Sequence, residues 1–167
     1  MEKPIGIVIG SESDLPLIKE TTNILDFFGI GYDLTISSAH RSPKRTIDYA
    51  KNARKKGYRV LIVGAGAAAH LAGVIAAETH LPVIGIPIDS SPLQGFDSLL
   101  STVQMPGGVP VATMAVGKAG ARNAGIFAVQ ILALSDYKIE GKMIKYKQKL
   151  AKEVVVKANN LKRQGNS

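Results

Sequence analysis

One alternation limits what this chain can fold into more than any other feature: a short unbroken apolar run, a turn, then a stretch with helical periodicity. Ile5-Gly6-Ile7-Val8-Ile9 is the first run, after which Leu15, Ile18, Thr22, Leu25 and Phe28 recur at helical spacing until Gly29. Residues three and four apart share one face of a helix, whereas a short apolar run bounded by turn residues suits a strand buried on both sides. The strand signal returns at Tyr32–Ile36 and at residues 60–63, 83–87 and 111–116. Between these runs the spacing predicts helices over 43–56 (closed by Gly57), over an alanine-rich stretch ending near Glu78, over 95–102 and over 119–134. A long basic helix is expected over 137–161. Apolar strands separated by helices argue for a parallel sheet covered on both faces. Five of them favour a flavodoxin-like α/β three-layer sandwich, and 167 residues suffice for one domain with its own core.

In such sheets ligands bind beyond the carboxyl ends of the strands. The residues with useful chemistry gather there: Gly10-Ser11-Glu12-Ser13-Asp14 after the first strand, Ser37-Ser38-Ala39-His40-Arg41-Ser42-Pro43 after the second, 64–70 after the third, 88–94 after the fourth, and Gly117-Lys118 after the fifth. An imidazole titrates near neutrality, so a positioned His40 can both give and take a proton. The Arg41 guanidinium beside it is a flat fork of donors suited to a phosphate or carboxylate. Pro43 fits the first turn of a helix with Ser42 as its N-cap. Ser11, Ser13 and the backbone N–H groups around them would form a phosphate cradle at a helix entrance, with Asp14 placed to accept from sugar hydroxyls. Read alone, the same residues are equally an ordinary helix cap. The Gly-Lys-Ser/Thr ending of a Walker loop is absent.

Gly64-x-Gly66-x-x-Ala69, with Asp89 about twenty residues on, matches a loose dinucleotide fingerprint and raises a nicotinamide- or flavin-dependent oxidoreductase as a rival. Against it, the motif follows the third strand, and glycines there would equally let backbone approach a flat ligand. His70 reads as one turn into a helix, possible as a core histidine, and His80 as a helix-end residue bonding late carbonyls. Neither has a carboxylate at metal-binding spacing, so no metal site is expected.

Charge is unevenly placed. The chain carries a net +8, of which residues 1–137 contribute only +1 and residues 138–167 contribute +7. Clustered lysines can bind nucleic acid, but the tail also has an apolar stripe (Ile139, Met143, Tyr146, Leu150, Val154, Leu161) and no aromatic stacking set. A helix docked on its own or a neighbouring subunit, lysines outward, is therefore preferred over a nucleic-acid binder. The absence of cysteine removes disulfides, thiolate metal sites and thiol nucleophiles. With no bilayer-length apolar run and no signal-like start at Met1-Glu2-Lys3-Pro4, a cytoplasmic protein without membrane contact is expected.

Taken together, Gly10-Ser-Glu-Ser-Asp14, Ser38-Ala-His-Arg-Ser-Pro43, Gly64-Ala-Gly-Ala-Ala-Ala-His-Leu71, Asp97-Ser-Leu-Leu-Ser-Thr-Val-Gln-Met-Pro106 and Gly117-Lys-Ala-Gly-Ala121 resemble the 5-(carboxyamino)imidazole ribonucleotide mutase family of purine biosynthesis. The likeness runs in order over residues 5–135. It implies a single catalytic domain over 1–167, a homo-octamer, no metal or organic cofactor, and a small ribonucleotide whose carboxylate moves from the exocyclic nitrogen to ring carbon 4. By that resemblance His40 is the general acid and base. Ser11, Ser13, Asp14, Ser38, Ala39, Arg41, Gly66, Ala67, Ala68, His70 and Leu71 form the substrate site, with Asp14 on the ribose and Arg41 on the phosphate. The Gly-Ala-Gly-x-Ala-Ala-His pattern is similar to the mutase class; the sister class, which carboxylates aminoimidazole ribonucleotide with free carbon dioxide, differs there and is the alternative. Ala67, Ala72 and Val74 depart from the usual glycine, proline and methionine, and Ala67 is expected to crowd the base-binding loop.

Overall fold

The computed structural model describes residues 2–164. In chain order it runs β1 (Ile5–Ile9), α1 (Leu15–Phe28), β2 (Tyr32–Ile36), α2 (Pro43–Asn52), β3 (Val60–Gly66), α3 (Leu71–Glu78), β4 (Val83–Ile88), α4 (Phe96–Val103), β5 (Ala112–Thr113), α5 (Lys118–Ala133) and α6 (Tyr137–Gln164). The strands form one parallel sheet in the order β2-β1-β3-β4-β5, the flavodoxin-like order. Side chains alternate across a strand, and here both faces are apolar. Ile5, Ile7, Ile9, Ile62, Ile84 and Ile86 pack under α1 and α5, while Val8, Leu61, Val63 and Val83 pack under α2 and α3.

Three elements differ from the spacing-based expectation, each for a local reason. Regular α2 stops at Asn52, short of the expected 56, and the chain tightens into turns that end in a Schellman motif. There Gly57 takes φ 87° and donates to the Arg54 carbonyl, and Tyr58 N–H donates to Ala53. Strand β3 runs three residues past Val63, because Gly64, Ala65 and Gly66 pair with Ile86, Pro87 and Ile88. Strand β5 shrinks from the expected 111–116 to two residues. Pro87 on β4 accepts from Gly117 N–H but has no N–H to donate, which leaves the ladder past Thr113 one-sided.

Helix α6 corrects the expected stripe. Met143 and Tyr146 are buried, the Tyr146 ring meets Phe28 with centroids 5.4 Å apart, and Lys142 Nζ donates to the Phe28 carbonyl at 2.7 Å. Ile139 is partly covered by the same core. Leu150, Val154 and Leu161 are exposed, at 37, 67 and 70 %. At about 1.5 Å per residue the helix simply outruns the body it docks on. Among the described residues no helix is long and apolar enough to cross a membrane.

Candidate active site

Two backbone bonds bring the first loops over the carboxyl edge of the sheet: Gly10 N–H donates to the Gly64 carbonyl at 3.1 Å and Ser37 N–H to the Ile9 carbonyl at 3.0 Å. After β1, Ser11 caps a single 3₁₀ turn in a reciprocal capping box. Its Oγ accepts from Ser13 N–H at 3.4 Å, while Asp14 Oδ2 accepts from Ser11 N–H at 3.1 Å. Ser13 Oγ donates to Ser11 Oγ at 2.9 Å. Asp14 is only 4 % exposed. Burial pushes its carboxyl above the usual range, and the bonds from Ser11 and Ser13 only partly oppose that. A carboxylate held this way gains from any further donor, which is what a sugar hydroxyl supplies.

After β2 the chain folds into a tight loop knotted by serines. Ser42 N–H and Ser42 Oγ both donate to the Ser38 carbonyl, at 2.9 and 3.0 Å, and Arg41 N–H donates to Ser38 Oγ at 3.2 Å. Ser42 occupies the N-cap position of α2, as expected, but its hydroxyl turns back to Ser38 and makes no capping bond. Ser37 is buried and bonded to Thr46 Oγ1 at 2.8 Å, so it serves the fold. Arg41 is exposed, with Nη2 3.5 Å from the Gly10 carbonyl, which leaves most of its fork uncommitted above the β1 loop.

His40 points across two strands. Its Nε2 lies 2.8 Å from His70 Nδ1, with the rings nearly perpendicular at 88°. His70 sits exposed at the N-cap of α3, not one turn inside a helix and not in the core; the helix starts later because β3 ends later. His80 lies exposed beyond the other end of α3 and makes none of the expected carbonyl bonds. Gly64 and Gly66 lie within β3 itself, so they form no phosphate-binding turn, and Asp89 lies against Gly117. The dinucleotide fingerprint is thereby a coincidence of composition.

The loops enclose a cleft of about 300 Å³. Ser11, Ser13 and Asp14 form one wall, Ser38, Ala39, His40 and Arg41 a second, and Gly66, Ala67, Ala68 and Leu71 a third. His70 reaches the cleft only through His40. Ala67 has φ 51°, the left-handed region that glycine occupies without strain, so its methyl is held in a conformation that L residues rarely adopt. Gly10, Ala65 and Ser90 also line the cleft; each lies in a segment that the sequence places at this edge, but none is among the expected site residues. For Ser90 a signal existed: it follows β4 as Ser38 follows β2.

Residues 4–153 match the family model described as AIR carboxylase. The chain belongs to the AIR carboxylase family. Proteins named N5-carboxyaminoimidazole ribonucleotide mutase are among its relatives. That of Thermotoga maritima is 53 % identical over 161 residues, 96 % of this chain and 93 % of that one. That of Pyrococcus horikoshii is 50 % identical over 165 residues, 98 % and 92 %. That of Bacillus subtilis is 47 % identical over 161 residues, 96 % and 99 %. Among solved structures, Treponema denticola PurE superposes with a TM-score of 0.85 at 25 % identity, covering 94 % of this chain and 97 % of that one. The Treponema denticola PurE2-S38D structure, at 24 % identity and a TM-score of 0.86 over 96 % of this chain and 99 % of that one, shares the fold. The three walls of the cleft come from three of the five segments that carry the resemblance read in the sequence; 97–106 and 117–121 do not line it.

Proposed function

We propose that this protein isomerises 5-(carboxyamino)imidazole ribonucleotide to 4-carboxy-5-aminoimidazole ribonucleotide in purine biosynthesis, as a mutase of the AIR carboxylase family. The observation that carries the reading is the His40–His70 bond at the wall of a cleft otherwise lined by anion- and sugar-binding groups. Arg41 and the hydroxyls of Ser11 and Ser13 suit the phosphate and its neighbourhood, Asp14 a ribose hydroxyl, and the backbone around Gly66, Ala67 and Ala68 the flat base. Ser38, Ala39 and Leu71 close the pocket.

The reaction needs one proton delivered and one removed. Protonation of the exocyclic nitrogen breaks its bond to the carboxylate and releases carbon dioxide. The electron-rich ring carbon 4 then attacks that carbon, and the proton on carbon 4 must leave. His40 supplies the first proton and takes the second, so the cycle closes without a further acid or base. A 2.8 Å bond between two imidazole nitrogens requires one donor and one acceptor. When His40 Nε2–H is the donor, its Nδ1 is the acceptor that can take a proton; when His70 Nδ1–H is the donor, neutral His40 carries its proton on Nδ1 and can give it. His70 thus acts as a positioning residue that fixes the tautomer of His40. No step requires a metal or organic cofactor.

The same reading makes the protein a cytoplasmic homo-octamer of one catalytic domain per chain. Exposed Leu93 in the loop before α4, with exposed Phe96, Leu100 and Val103 along the helix, support assembly through that face. The basic part of α6 is read as a solvated surface and not as a nucleic-acid site. The direct test incubates the purified protein with the carboxyamino ribonucleotide, without metal or added cofactor, and follows the ring-carboxylated product. No product would overturn the proposal.

A further inference from the structure

We infer that Ser90 recognises the migrating carboxylate, an inference that rests on the mutase reading and adds to its site a residue from the fourth strand. The cleft is lined by four serines, Ser11, Ser13, Ser38 and Ser90. Three are committed to the protein: Ser11 Oγ accepts from Ser13, Ser13 Oγ donates to Ser11, and Ser38 Oγ accepts from Arg41 N–H. Ser90 Oγ makes no hydrogen bond to any described residue, and the side chain is exposed to the cleft. It is the one hydroxyl there with both its donor and its acceptor capacity unspent.

Its position is built. Gly66, the last residue of β3, pairs with Ile88 at the end of β4. A Cβ on Gly66 would collide with Ser90 Oγ and lie 3.2 Å from the Ile88 carbonyl oxygen. Any residue but glycine at 66 would therefore displace the Ser90 hydroxyl from the floor of the cleft. This gives Gly66 a purpose that the dinucleotide fingerprint does not.

Sheet order then says which end of the substrate Ser90 meets. Reading across the sheet, the loops come in the order β2, β1, β3, β4. The phosphate and ribose ligands, Arg41, Ser11 and Asp14, belong to the first two. Neighbouring strands lie about 4.8 Å apart, so the end of β4 is roughly 10 Å beyond the end of β1. A nucleotide with its phosphate over β2 and β1 sends its base toward β3 and β4, where Gly66 leaves room for the ring and Ser90 stands at its far edge. The polar groups at that edge are the exocyclic amine and the carboxylate. A neutral hydroxyl donating to a carboxylate makes the stronger, charge-assisted bond.

The test compares Ser90→Ala and Ser90→Gly with the wild type by calorimetric titration of two probes: 4-carboxy-5-aminoimidazole ribonucleotide and its carboxylate-free counterpart, 5-aminoimidazole ribonucleotide. We expect affinity for the carboxylated probe to fall about tenfold in both variants, the size of one hydrogen bond to a charged group. Affinity for the carboxylate-free probe should stay within about twofold, and the melting temperature should not change, because Ser90 bonds to nothing in the protein. Equal loss for both probes, or no loss for either, would overturn the assignment. Wild-type turnover is measured alongside. Its absence would count against the mutase reading itself, while the ratio of the two affinities is read independently of turnover.

Discussion

Replacing Asp14 by Asn separates a functional carboxylate from a structural cap, because the two roles move stability and binding in opposite directions. Asn keeps the shape and an acceptor for Ser11 N–H, so the capping box survives in neutral form. What it removes is a buried charge. Desolvation is the largest influence on this carboxyl and outweighs its hydrogen bonds, so its folded pKa lies above the ordinary 3.8. The sign follows from linkage. A carboxyl whose folded pKa is raised binds its proton more tightly in the native state, so folding stability falls as pH rises from about 3.8 through the folded value. The Asn variant lacks this loss. Its stability relative to wild type should be near zero at the acid end and should grow in its favour with pH, leaving it at least as stable at pH 7. Binding should go the other way. A hydrogen bond to a charged acceptor contributes about 1.5–3 kcal/mol and a neutral one about 1, so the ribose contact should weaken by about 0.5–2 kcal/mol. That is roughly a two- to thirtyfold loss of affinity. Denaturant unfolding at pH 4 and pH 7, with calorimetric titration of 4-carboxy-5-aminoimidazole ribonucleotide, measures both. A variant that is more than about 1 kcal/mol less stable at pH 7 and binds as tightly as wild type would make Asp14 a helix cap and nothing more.

His40→Asn should lower isomerisation by at least the 10²–10⁴-fold typical of general acid–base catalysis while nucleotide binding persists; retention of a third of wild-type kcat would remove His40 from the mechanism. His70→Asn should lower kcat more than it raises KM and alter the shape of the pH–rate profile, whereas an unchanged profile would leave His70 a bystander. Arg41→Lys keeps the charge but loses the fork, so direct titration should show binding about ten- to a hundredfold weaker, and equal affinity would place Arg41 outside the site. Ending the chain after Gln148 keeps Met143 and Tyr146 docked and should leave the melting temperature within a few degrees, whereas ending it after Ser135 uncovers Phe28 and should cause aggregation or gross destabilisation; equal behaviour of the two in light scattering and thermal unfolding would refute the docking of α6.

Much of the fold was legible because its strongest signals are local. Ile5, Ile7 and Ile9 announce a doubly covered strand, and Gly29 and Gly57 stop helices through a left-handed residue that needs no tertiary context. The misreadings fall where a neighbour decides. Strand β3 is longer than its apolar run because Gly64, Ala65 and Gly66 all gain partners on β4, Gly64 pairing with Ile9 of β1 as well, and β5 is shorter because its only neighbour presents Pro87. The length of the stripe on α6 is legible in the sequence, but the length of the surface it can dock on is not, so Leu150 and Val154 were counted with Met143.

The candidate site shows the same division more sharply. Ser11, Asp14, His40 and Arg41 could be chosen from residue type and position at a strand end, because each brings its chemistry with it. The pairing of His40 with His70 could not, since thirty residues separate them and only the order β2-β1-β3 folds one loop over the other. Ser90 is hard to read for the converse reason: its place after β4, matching that of Ser38 after β2, is a signal of position alone, which a lone serine does not reinforce. Its meaning comes from what it lacks, a partner in the protein, and from the glycine that makes room for it. Residues that act through their own charge or titration are thus readable one at a time, whereas those that act through a vacancy or a shared proton become readable only once the strands are in order. A search for further functional residues in this family should therefore begin with uncommitted hydroxyls facing glycines at the ends of β3 and β4.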